Sequence, residues 1–260
     1  MTAALTAVAA LLARDLRAFA RSRSQLYSSV LFPLMLLALL GTGVSEGLDP
    51  KNIADYRTFL APGMVVMTAV FSSTFSSATY YQDRDSGMLK VLFASPHSQR
   101  TILFAKTLSA VVIGAAQALI VLAIAAAIPA IDFQWQYGVL PGVALAVLSI
   151  ALLNLILAGA GQWLAQRIGS MQGFHLVMNL VLFPFLFFSG AFYPLSNLPE
   201  WLKLLGRVNP LSYGVDALHL ALSSDTSSGY FGLAIDLPVL IALAALVFLL
   251  GNARPVVTER

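Results

Sequence analysis

Long apolar runs alternate with short polar stretches along most of the chain. We interpret six of these runs, each near the ~20 residues that a bilayer requires, as membrane-spanning helices. An even number of spans places the two ends of the chain on one side of the membrane. The pattern therefore predicts an all-α polytopic membrane protein, with one membrane domain over residues 1–260 and spans over residues 26–44, 58–80, 101–128, 139–163, 173–192 and 234–251.

The residues before the first span carry charges within an apolar helical pattern. Residues 3–23 are rich in alanine and leucine, but Arg14, Asp15 and Arg17 interrupt them. A helix that lies in the membrane interface accommodates such charges better than a spanning helix does. We therefore expect an interfacial helix over residues 1–25.

A polar interruption, QDRDSGMLKVLFASPHSQRTILFAK, separates the second and third spans. Apolar side chains recur at helical spacing after Gly87, until Pro96 ends the pattern. A passive charged loop, which is the alternative, needs no such apolar stripe. We therefore predict that residues 82–100 form a loop that docks on a partner protein. The residues expected to contact that partner are Asp83, Arg84, Asp85, Gly87, Met88, Leu89, Leu92 and Phe93.

The connection between the fifth and sixth spans is too apolar for an ordinary surface loop. It contains two short helical patterns, one starting near Pro199 and one over residues 211–222 that we expect Ser212 to cap. Neither can span a membrane, so we predict a re-entrant hairpin over residues 194–222, with two helices lying flat on the surface as the alternative. The residues expected to form an outer gate, with a hinge at Asn209 and Pro210, are Pro194, Trp201, Asn209, Pro210 and Tyr213.

Basic residues are distributed unevenly between the two sets of loops. Because basic residues concentrate in cytoplasmic loops, the richer side is expected to face the cytoplasm. That side holds both termini and residues 82–106, and there Arg100 and Lys106 are expected to reach the lipid surface. The poorer side holds four basic residues and the richer side eleven: Arg14, Arg17, Arg21, Arg23, Arg84, Lys90, Arg100, Lys106, Arg167, Arg254 and Arg260.

Composition narrows the possible chemistry. Hydrophobic residues make up 58% of the 260 residues and charged residues only 10%, whereas soluble domains average roughly 25% charged. The net charge of +3 is divided among short loops, so a nucleic-acid partner is not expected. Cysteine is absent, and the three histidines have no second ligand at suitable spacing, so a metal site is not expected either.

Polar residues within the spans have two interpretations. Serines at helical spacing in the second span allow close helix packing, or they form one wall of a substrate path. The residues of the second interpretation are Phe71, Ser72, Phe75, Ser76 and, in the fourth span, Asn154. Gln117, Asn154 and Asn179 are interpreted as interhelical hydrogen-bonding groups, and we place Asp236 at the outer boundary of the membrane, not buried. An intramembrane hydrolase using Ser189 and His175 is disfavoured because the two residues would lie far apart along one span.

Two segments carry a resemblance to a known family. The first, FFSGAFYPLSNLPEWLK followed by NPLSYGVDALH, resembles the outer re-entrant hairpin of type-2 ABC transporter permeases, which export drugs, nodulation factors and polysaccharides. The second, DRDSGMLKVLFASPHSQRTILFAK, is similar to the cytoplasmic coupling helix of these permeases. Here Asp85, Met88 and Lys90 replace the Glu, Thr and Glu that are common in the family.

The resemblance implies a homodimeric permease of the bacterial inner membrane that exports a hydrophobic or glycosylated compound together with two cytoplasmic ATPase subunits. The sequence has no G-x-x-x-x-G-K-[ST] motif, so ATP and Mg²⁺ are expected on the ATPase, and neither a cofactor nor enzymatic activity is expected in this chain. Two alternatives remain. An ion-coupled secondary transporter requires intramembrane ionisable residues, which the spans largely lack. A non-transporting assembly or sensor subunit requires no continuous path.

Overall fold

A computed structural model describes residues 2–47, 56–223 and 229–251. Lys51, Arg254 and Arg260, which enter the charge comparison, lie outside these residues. Every regular element in the described part is helical, which confirms the predicted all-α class. The elements are α1 (Thr2–Arg21), α2 (Arg23–Leu26), a π-helical turn (Tyr27–Leu31), α3 (Phe32–Gly47), α4 (Tyr56–Asp85), α5 (Met88–Ala94), α6 (Gln99–Ala127), α7 (Val139–Ala165), α8 (Met171–Phe187), a 3₁₀ turn (Leu195–Asn197), α9 (Glu200–Val208), α10 (Pro210–Leu222) and α11 (Leu233–Gly251).

Four of the helices, α4, α6, α7 and α11, are long and apolar enough to cross a membrane. The first and fifth predicted spans form shorter apolar helices, over Tyr27–Gly43 and α8. The fifth ends at Phe187, five residues before the predicted end, because Gly190 turns the chain with φ 87°, a conformation that glycine adopts readily. Length and composition thus support four of the six predicted spans, while the other two remain predictions.

The helices α4, α6, α7, α8 and α11 alternate in direction along the chain, and the contacts between their ends define two ends of the bundle. At one of them, the hydroxyl of Tyr81 in α4 donates to the carbonyl of Ile168, at 3.1 Å. The side-chain amide of Gln166 donates to the carbonyl of Gly251, at 2.9 Å. The end of α4, the turn between α7 and α8 and the end of α11 therefore meet here, and we call this the Asp83 end.

The opposite end, which we call the Asp216 end, gathers the start of α4 and the hairpin. The hydroxyl of Tyr56 donates to the carbonyl of Phe192 at 2.9 Å. The ring of Phe59 stacks on that of His219 in α10, with 4.7 Å between centroids. Since α4 has 30 residues, the two ends lie about 45 Å apart along its axis.

The core lies around α4, which contacts α3, α6, α7, α8 and α10. Small residues allow these helices to approach closely. A Cβ atom on Gly161 of α7 would lie 2.1 Å from Oγ of Ser77 in α4. A Cβ atom on Gly63 of α4 would lie 2.2 Å from the carbonyl oxygen of Ala191. Small residues at these crossings let the helix backbones approach closely, as is common between membrane helices.

The start of α10 differs from the sequence prediction. The helix begins at Pro210, and the side chain of Asn209 caps it by accepting a hydrogen bond from the backbone N–H of Leu211 at 3.0 Å. Ser212, the predicted cap, is buried within the first turn. Proline suits the first helical position because its missing N–H would lack a partner there, so the helix starts directly after Asn209.

Candidate functional site

The Asp83 end is organised around one carboxylate that binds two cations. Nη2 of Arg14 in α1 donates to Oδ2 of Asp83 at 2.9 Å, and Nζ of Lys106 in α6 pairs with the same oxygen. Arg14 also binds Asp15 at 2.8 Å. These ion pairs fasten α1 and α6 to the last turn of α4, just before the predicted docking loop.

The surroundings of these groups explain their orientation. Burial alone would lower the pKa of Arg14, but the hydrogen bonds and charges of Asp15 and Asp83 outweigh it and raise the pKa above its usual value. The side chain of Lys106 is only 3% exposed, so the prediction that it reaches the lipid surface is wrong. A buried ammonium group requires a paired charge, and Asp83 supplies it from the neighbouring helix.

The next two residues connect α4 to a second loop at the same end. Nη2 of Arg84 donates to the carbonyl of Gly169 at 2.8 Å, and its guanidinium lies 5.0 Å from the centre of the Tyr81 ring. Asp85 is 67% exposed, with 3.5 Å between its Oδ1 and Nε of Arg84. Arg84 thus tethers the end of α4 to the turn before α8, whereas Asp85 faces outward.

Gly87 separates α4 from the short helix α5. Its φ of 73° lies in the left-handed region, where a side chain is strained, and nothing lies within 4 Å of a Cβ built on it. Glycine is therefore required by the backbone and not by crowding. The turn lets α5 leave the axis of α4 directly after the charged cluster.

The apolar residues of α5 do not share one exposed face. Leu89 is 6% exposed and belongs to the core of the chain, while Leu92 and Phe93 are half-buried. Met88 and Val91 are 42% and 66% exposed. Much of the predicted stripe therefore packs against its own chain. The exposed pair is one helical turn apart. Val91 was missed because the apolar residues were paired four positions apart, Met88 with Leu92 and Leu89 with Phe93.

The residues predicted to line a substrate path fall into two groups. Phe71 lies between Phe32 of α3 and Phe183 of α8, with ring centroids 5.7 Å and 6.0 Å away. It contributes to a small, open cleft between α4 and α8, and the exposed Asn179 lies on the same cleft. The residues lining the cleft are Val70, Phe71, Thr74, Asn179, Leu182, Phe183 and Leu186.

Ser72 and Asn154 form the second group and lie away from the cleft. A Cβ atom on Gly114 of α6 would lie 1.9 Å from Oδ1 of Asn154 and 3.2 Å from Oγ of Ser72. Ser72 is 2% exposed and Asn154 is 0% exposed. Their position among α4, α6 and α7 favours the packing interpretation, while Phe75 and Ser76 are half-buried on α4.

The polar residues interpreted as interhelical hydrogen-bonding groups behave differently from one another. Nε2 of Gln117 in α6 donates to the hydroxyl of Ser29 in the π-helical turn, which confirms that interpretation for Gln117. Asn154 instead donates to the carbonyl of Ile150 within its own helix, at 2.9 Å. Asn179 faces the cleft. The hydrogen bond that Asn154 donates is thus within its own helix and not between helices, so the interhelical interpretation is wrong for this bond.

The two helices of the hairpin have opposite environments. Nearly all of α10 is buried, and Asn209 at its start is 3% exposed and donates to the carbonyl of Phe185 at 2.5 Å. The hydroxyl of Tyr213 donates to the carbonyl of Arg207, also at 2.5 Å. By contrast, α9 exposes a stripe of apolar side chains at helical spacing, made of Trp201, Leu204, Leu205 and Val208. Pro194 precedes the 3₁₀ turn.

Asp236 is fully buried, so the prediction that it is not buried is wrong. It lies in the first turns of α11, next to the backbone N–H groups of residues 230–232, which donate to the carboxylate of Asp216 in α10. These bonds hold the start of α11 against α10. No local pattern in the sequence predicts these bonds, because Asp216 and its three donors are 14 to 16 positions apart.

The residues considered for hydrolysis and for metal binding can be compared with the described part of the chain. The hydroxyl of Ser189 donates to the carbonyl of Leu186 at 2.7 Å. His175 lies 14 positions earlier, which along a helix is about 21 Å. Among the described residues there is also no group of three or more acidic residues or histidines placed to hold a metal ion.

Comparison with known proteins relates these features to a family. The family model described as ABC-2 type transporter matches residues 6–222. The chain is 26% identical over 163 residues to a probable multidrug ABC transporter permease, YbhR, of Escherichia coli K12, covering 62% of this chain and 43% of that protein. It therefore spans less than half the length of this relative.

Two further relatives are covered over more of their length. Identity is 28% over 226 residues with the putative transport permease ycf38 of Cyanophora paradoxa, which covers 80% of this chain and 72% of that protein. It is 27% over 228 residues with nodulation protein J of Sinorhizobium fredii, with coverage of 84% and 80%. The family match includes both the Asp83 cluster and the hairpin, and the chain belongs to the ABC-2 type transporter family of membrane permeases.

Proposed function

We propose that the chain is the transmembrane subunit of an ATP-driven exporter in the bacterial cytoplasmic membrane. Six helices, α3, α4, α6, α7, α8 and α11, would cross the membrane, with α1 in its interface. Both termini and the Asp83 end would face the cytoplasm, since the basic residues concentrate there. The family match and the four long apolar helices support this proposal.

The observation that carries the proposal is the position of α5. This helix is anchored on the core through Leu89, while Met88 and Val91 remain exposed beside the charged cluster of Asp83. An ATPase subunit that docks on α5 could move α4 and α6 as one body, because Arg14 and Lys106 bind Asp83. Two such subunits, each holding ATP and Mg²⁺, would serve a dimer of this chain.

The cleft between α4 and α8 is the best candidate for part of the substrate path. Its lining is aromatic and aliphatic apart from Thr74 and Asn179, which suits a hydrophobic compound with a few polar groups. Phe32 of α3, whose ring contacts that of Phe71, and Phe187 at the end of α8 are both exposed. A second copy of the chain packed against these faces would close the cleft into a path. Drug-like or glycosylated lipophilic molecules are the proposed cargo, in keeping with the multidrug and nodulation names of the relatives.

The hairpin at the Asp216 end is proposed to gate this path on the outside. Its two helices would not contribute equally, because α10 is buried against α4, α7 and α11 whereas α9 exposes its apolar stripe. Movement would therefore be confined to α9, with Asn209 and Pro210 as the fixed point about which it turns. Trp201 on the exposed face would rest at the depth of the lipid headgroups.

The proposal is tested by purifying the tagged chain from its own host and identifying co-purifying proteins by mass spectrometry. A protein with a nucleotide-binding P-loop is expected to accompany the wild-type chain and to hydrolyse ATP in the complex. Val91→Asp should lose this protein while remaining folded, because its site is exposed. Tyr137→Asp, an exposed position at the Asp216 end, should retain it. A stable complex without any P-loop protein would contradict the proposal and favour the assembly or sensor alternative.

A further inference from the structure

The first helix, α1, is oriented about its own axis by an ion pair. Nη2 of Arg14 donates to Oδ2 of Asp83 at 2.9 Å, so the side of α1 that carries Arg14 faces the last turn of α4. Arg17 and Arg21 come three and seven positions later, which places them within about 60° of Arg14 around an α-helix. Both are exposed. Helix α1 therefore carries a basic face, made of Arg17 and Arg21, on the side that faces the Asp83 end.

The opposite side of α1 is apolar. Leu5, Leu12 and Leu16 lie about 160–180° from Arg14 around the helix. Leu5 is 66% exposed, and the other two leucines are half-buried. An exposed basic side opposite an apolar side is typical of a helix in the membrane interface, where the apolar side faces the acyl chains and the basic side faces the headgroups.

The acids described at the Asp83 end already have other partners. Asp15 and Asp83 bind Arg14, and Oδ1 of Asp85 lies 3.5 Å from Nε of Arg84. The basic face forms no ion pair with any residue that the structure describes. An anion that pairs with the basic face must therefore come from outside the described part of the chain.

The two sides of α1 together specify the chemistry of this anion. A guanidinium group presents a planar fork of N–H donors that fits the oxygens of a phosphate. Arg17 and Arg21 are one helical turn apart, and like charges at this spacing repel each other unless an anion lies between them. A phospholipid with a net negative charge supplies such an anion, and its acyl chains also cover the apolar side. A free phosphate would leave that side, with Leu5, in water.

We propose that the basic face binds the headgroup of an anionic phospholipid in the cytoplasmic leaflet, while the apolar side of α1 rests on the acyl chains. Arg14 of the same helix binds Asp83, and Asp83 also binds Lys106. The bound lipid would therefore hold α1 against the ends of α4 and α6. This inference rests on the place of α1 in the membrane interface, which is part of the proposed function, and not on export itself.

The first test follows thermal unfolding of the full chain in a neutral detergent as phosphatidylglycerol is added. The Tm should rise with phosphatidylglycerol but not with phosphatidylcholine. One basic residue at an anionic lipid surface contributes about fivefold in affinity, so Arg17→Gln/Arg21→Gln should need roughly 25-fold more lipid for half of the rise. The control Lys90→Gln/Arg167→Gln removes the same charge from two exposed positions elsewhere at this end and should leave the titration nearly unchanged.

Three results of this titration would overturn the proposal. Equal shifts in the two double variants would mean that only the overall charge matters. An equal rise with phosphatidylcholine would mean that only the acyl chains matter, and an equal rise with glycerol phosphate would identify a site for a free anion. In the wild-type chain, NaCl should raise the lipid concentration needed for half of the effect, because salt screens exposed charges. A titration that NaCl leaves unchanged would also overturn the proposal.

A second measurement distinguishes the lipid from an acidic surface on the ATPase. The tagged variant Arg17→Gln/Arg21→Gln should still co-purify with the P-loop protein. Loss of that protein, together with an unchanged phosphatidylglycerol titration, would overturn the proposal and assign the basic face to the ATPase. If the wild-type chain itself had no P-loop partner, the proposed export function would fail, while the lipid titration would still decide the present inference by itself.

Discussion

Nη2 of Arg14 lies 2.9 Å from Oδ2 of Asp83, although 69 positions separate the two residues. The bond joins the first helix of the chain to the end of α4, and Lys106 of α6 reaches the same carboxylate oxygen. Three helices therefore meet at one acid directly before α5. This arrangement gives a physical reason for a docking surface here, because a force on α5 acts on a body that ion pairs hold together.

Asp83→Asn is expected to destabilise the protein strongly. It leaves the ammonium group of Lys106, whose side chain is 3% exposed, without its partner, and an unpaired buried charge costs on the order of 3–5 kcal/mol. Thermal unfolding in detergent measures the effect. The matched change Asp85→Asn removes an acid that is 67% exposed and should alter stability by under about 1 kcal/mol. Equal effects of the two changes would mean that the Asp83 cluster does not stabilise the fold.

The crossing of α6 and α7 gives a second prediction, about packing. Gly114→Ala would place a Cβ atom 1.9 Å from Oδ1 of Asn154, and overpacking of this kind costs about 1–3 kcal/mol. Gly43→Ala is the control, since nothing lies within 4 Å of a Cβ at that position. Thermal unfolding should separate the two variants. If Gly114→Ala were as stable as the wild-type protein, Ser72 and Asn154 would border free space, and the interpretation that they line a substrate path would be favoured again.

A third prediction concerns the hairpin. Spin labels on cysteines replacing Trp201 of α9 and Tyr137 should change their separation when the complex with its ATPase is trapped with ATP and vanadate. Labels replacing Ser223, at the end of α10, and Tyr137 should keep theirs, because α10 is buried against three long helices. Double electron–electron resonance spectroscopy measures both distances. If the Trp201 pair moved no more than the control pair, α9 would be a fixed covering and the gate would lie elsewhere.

The fourth prediction concerns the orientation of the bundle. A cysteine replacing Ser98, in the loop before α6, should react with an impermeant thiol reagent only from the cytoplasmic side. A cysteine replacing Tyr137 should react only from outside; Ser227, a natural first choice on that side, lies outside the described residues. Labelling in whole cells and in inverted vesicles distinguishes the two cases. Reaction of both cysteines from the same side would contradict the antiparallel arrangement across a membrane.

Much of the helical framework follows from the sequence because long apolar runs have few other ways to satisfy their backbone groups in lipid. The first helix, predicted over residues 3–23, forms over Thr2–Arg21. The docking helix predicted from the spacing of Met88, Leu89, Leu92 and Phe93 forms as α5. In these places a local pattern decides the local structure.

The orientation of individual side chains could not be predicted in the same way. Whether Leu89 faces its own chain or a partner depends on which helix covers it, and a seven-residue helix carries no signal for that. Lys106 turns inward because Asp83 of another helix provides its charge partner. Asp236 is buried beside the segment whose N–H groups donate to Asp216 of another helix, a contact that no local pattern reveals. Contacts between residues far apart in the chain thus set the parts of the site that the sequence leaves undetermined.

The central claim is that an ATPase subunit docks on α5 at the Asp83 end, and site-specific photo-cross-linking tests it most directly. A photoreactive amino acid at Val91, which is 66% exposed, is compared in native membranes with the same amino acid at Tyr137, which is 47% exposed at the opposite end. We expect the Val91 probe to cross-link a protein whose peptides include a nucleotide-binding P-loop, and the Tyr137 probe not to do so. Cross-linking of that protein from Tyr137 and not from Val91, or its absence at both positions, would contradict the account.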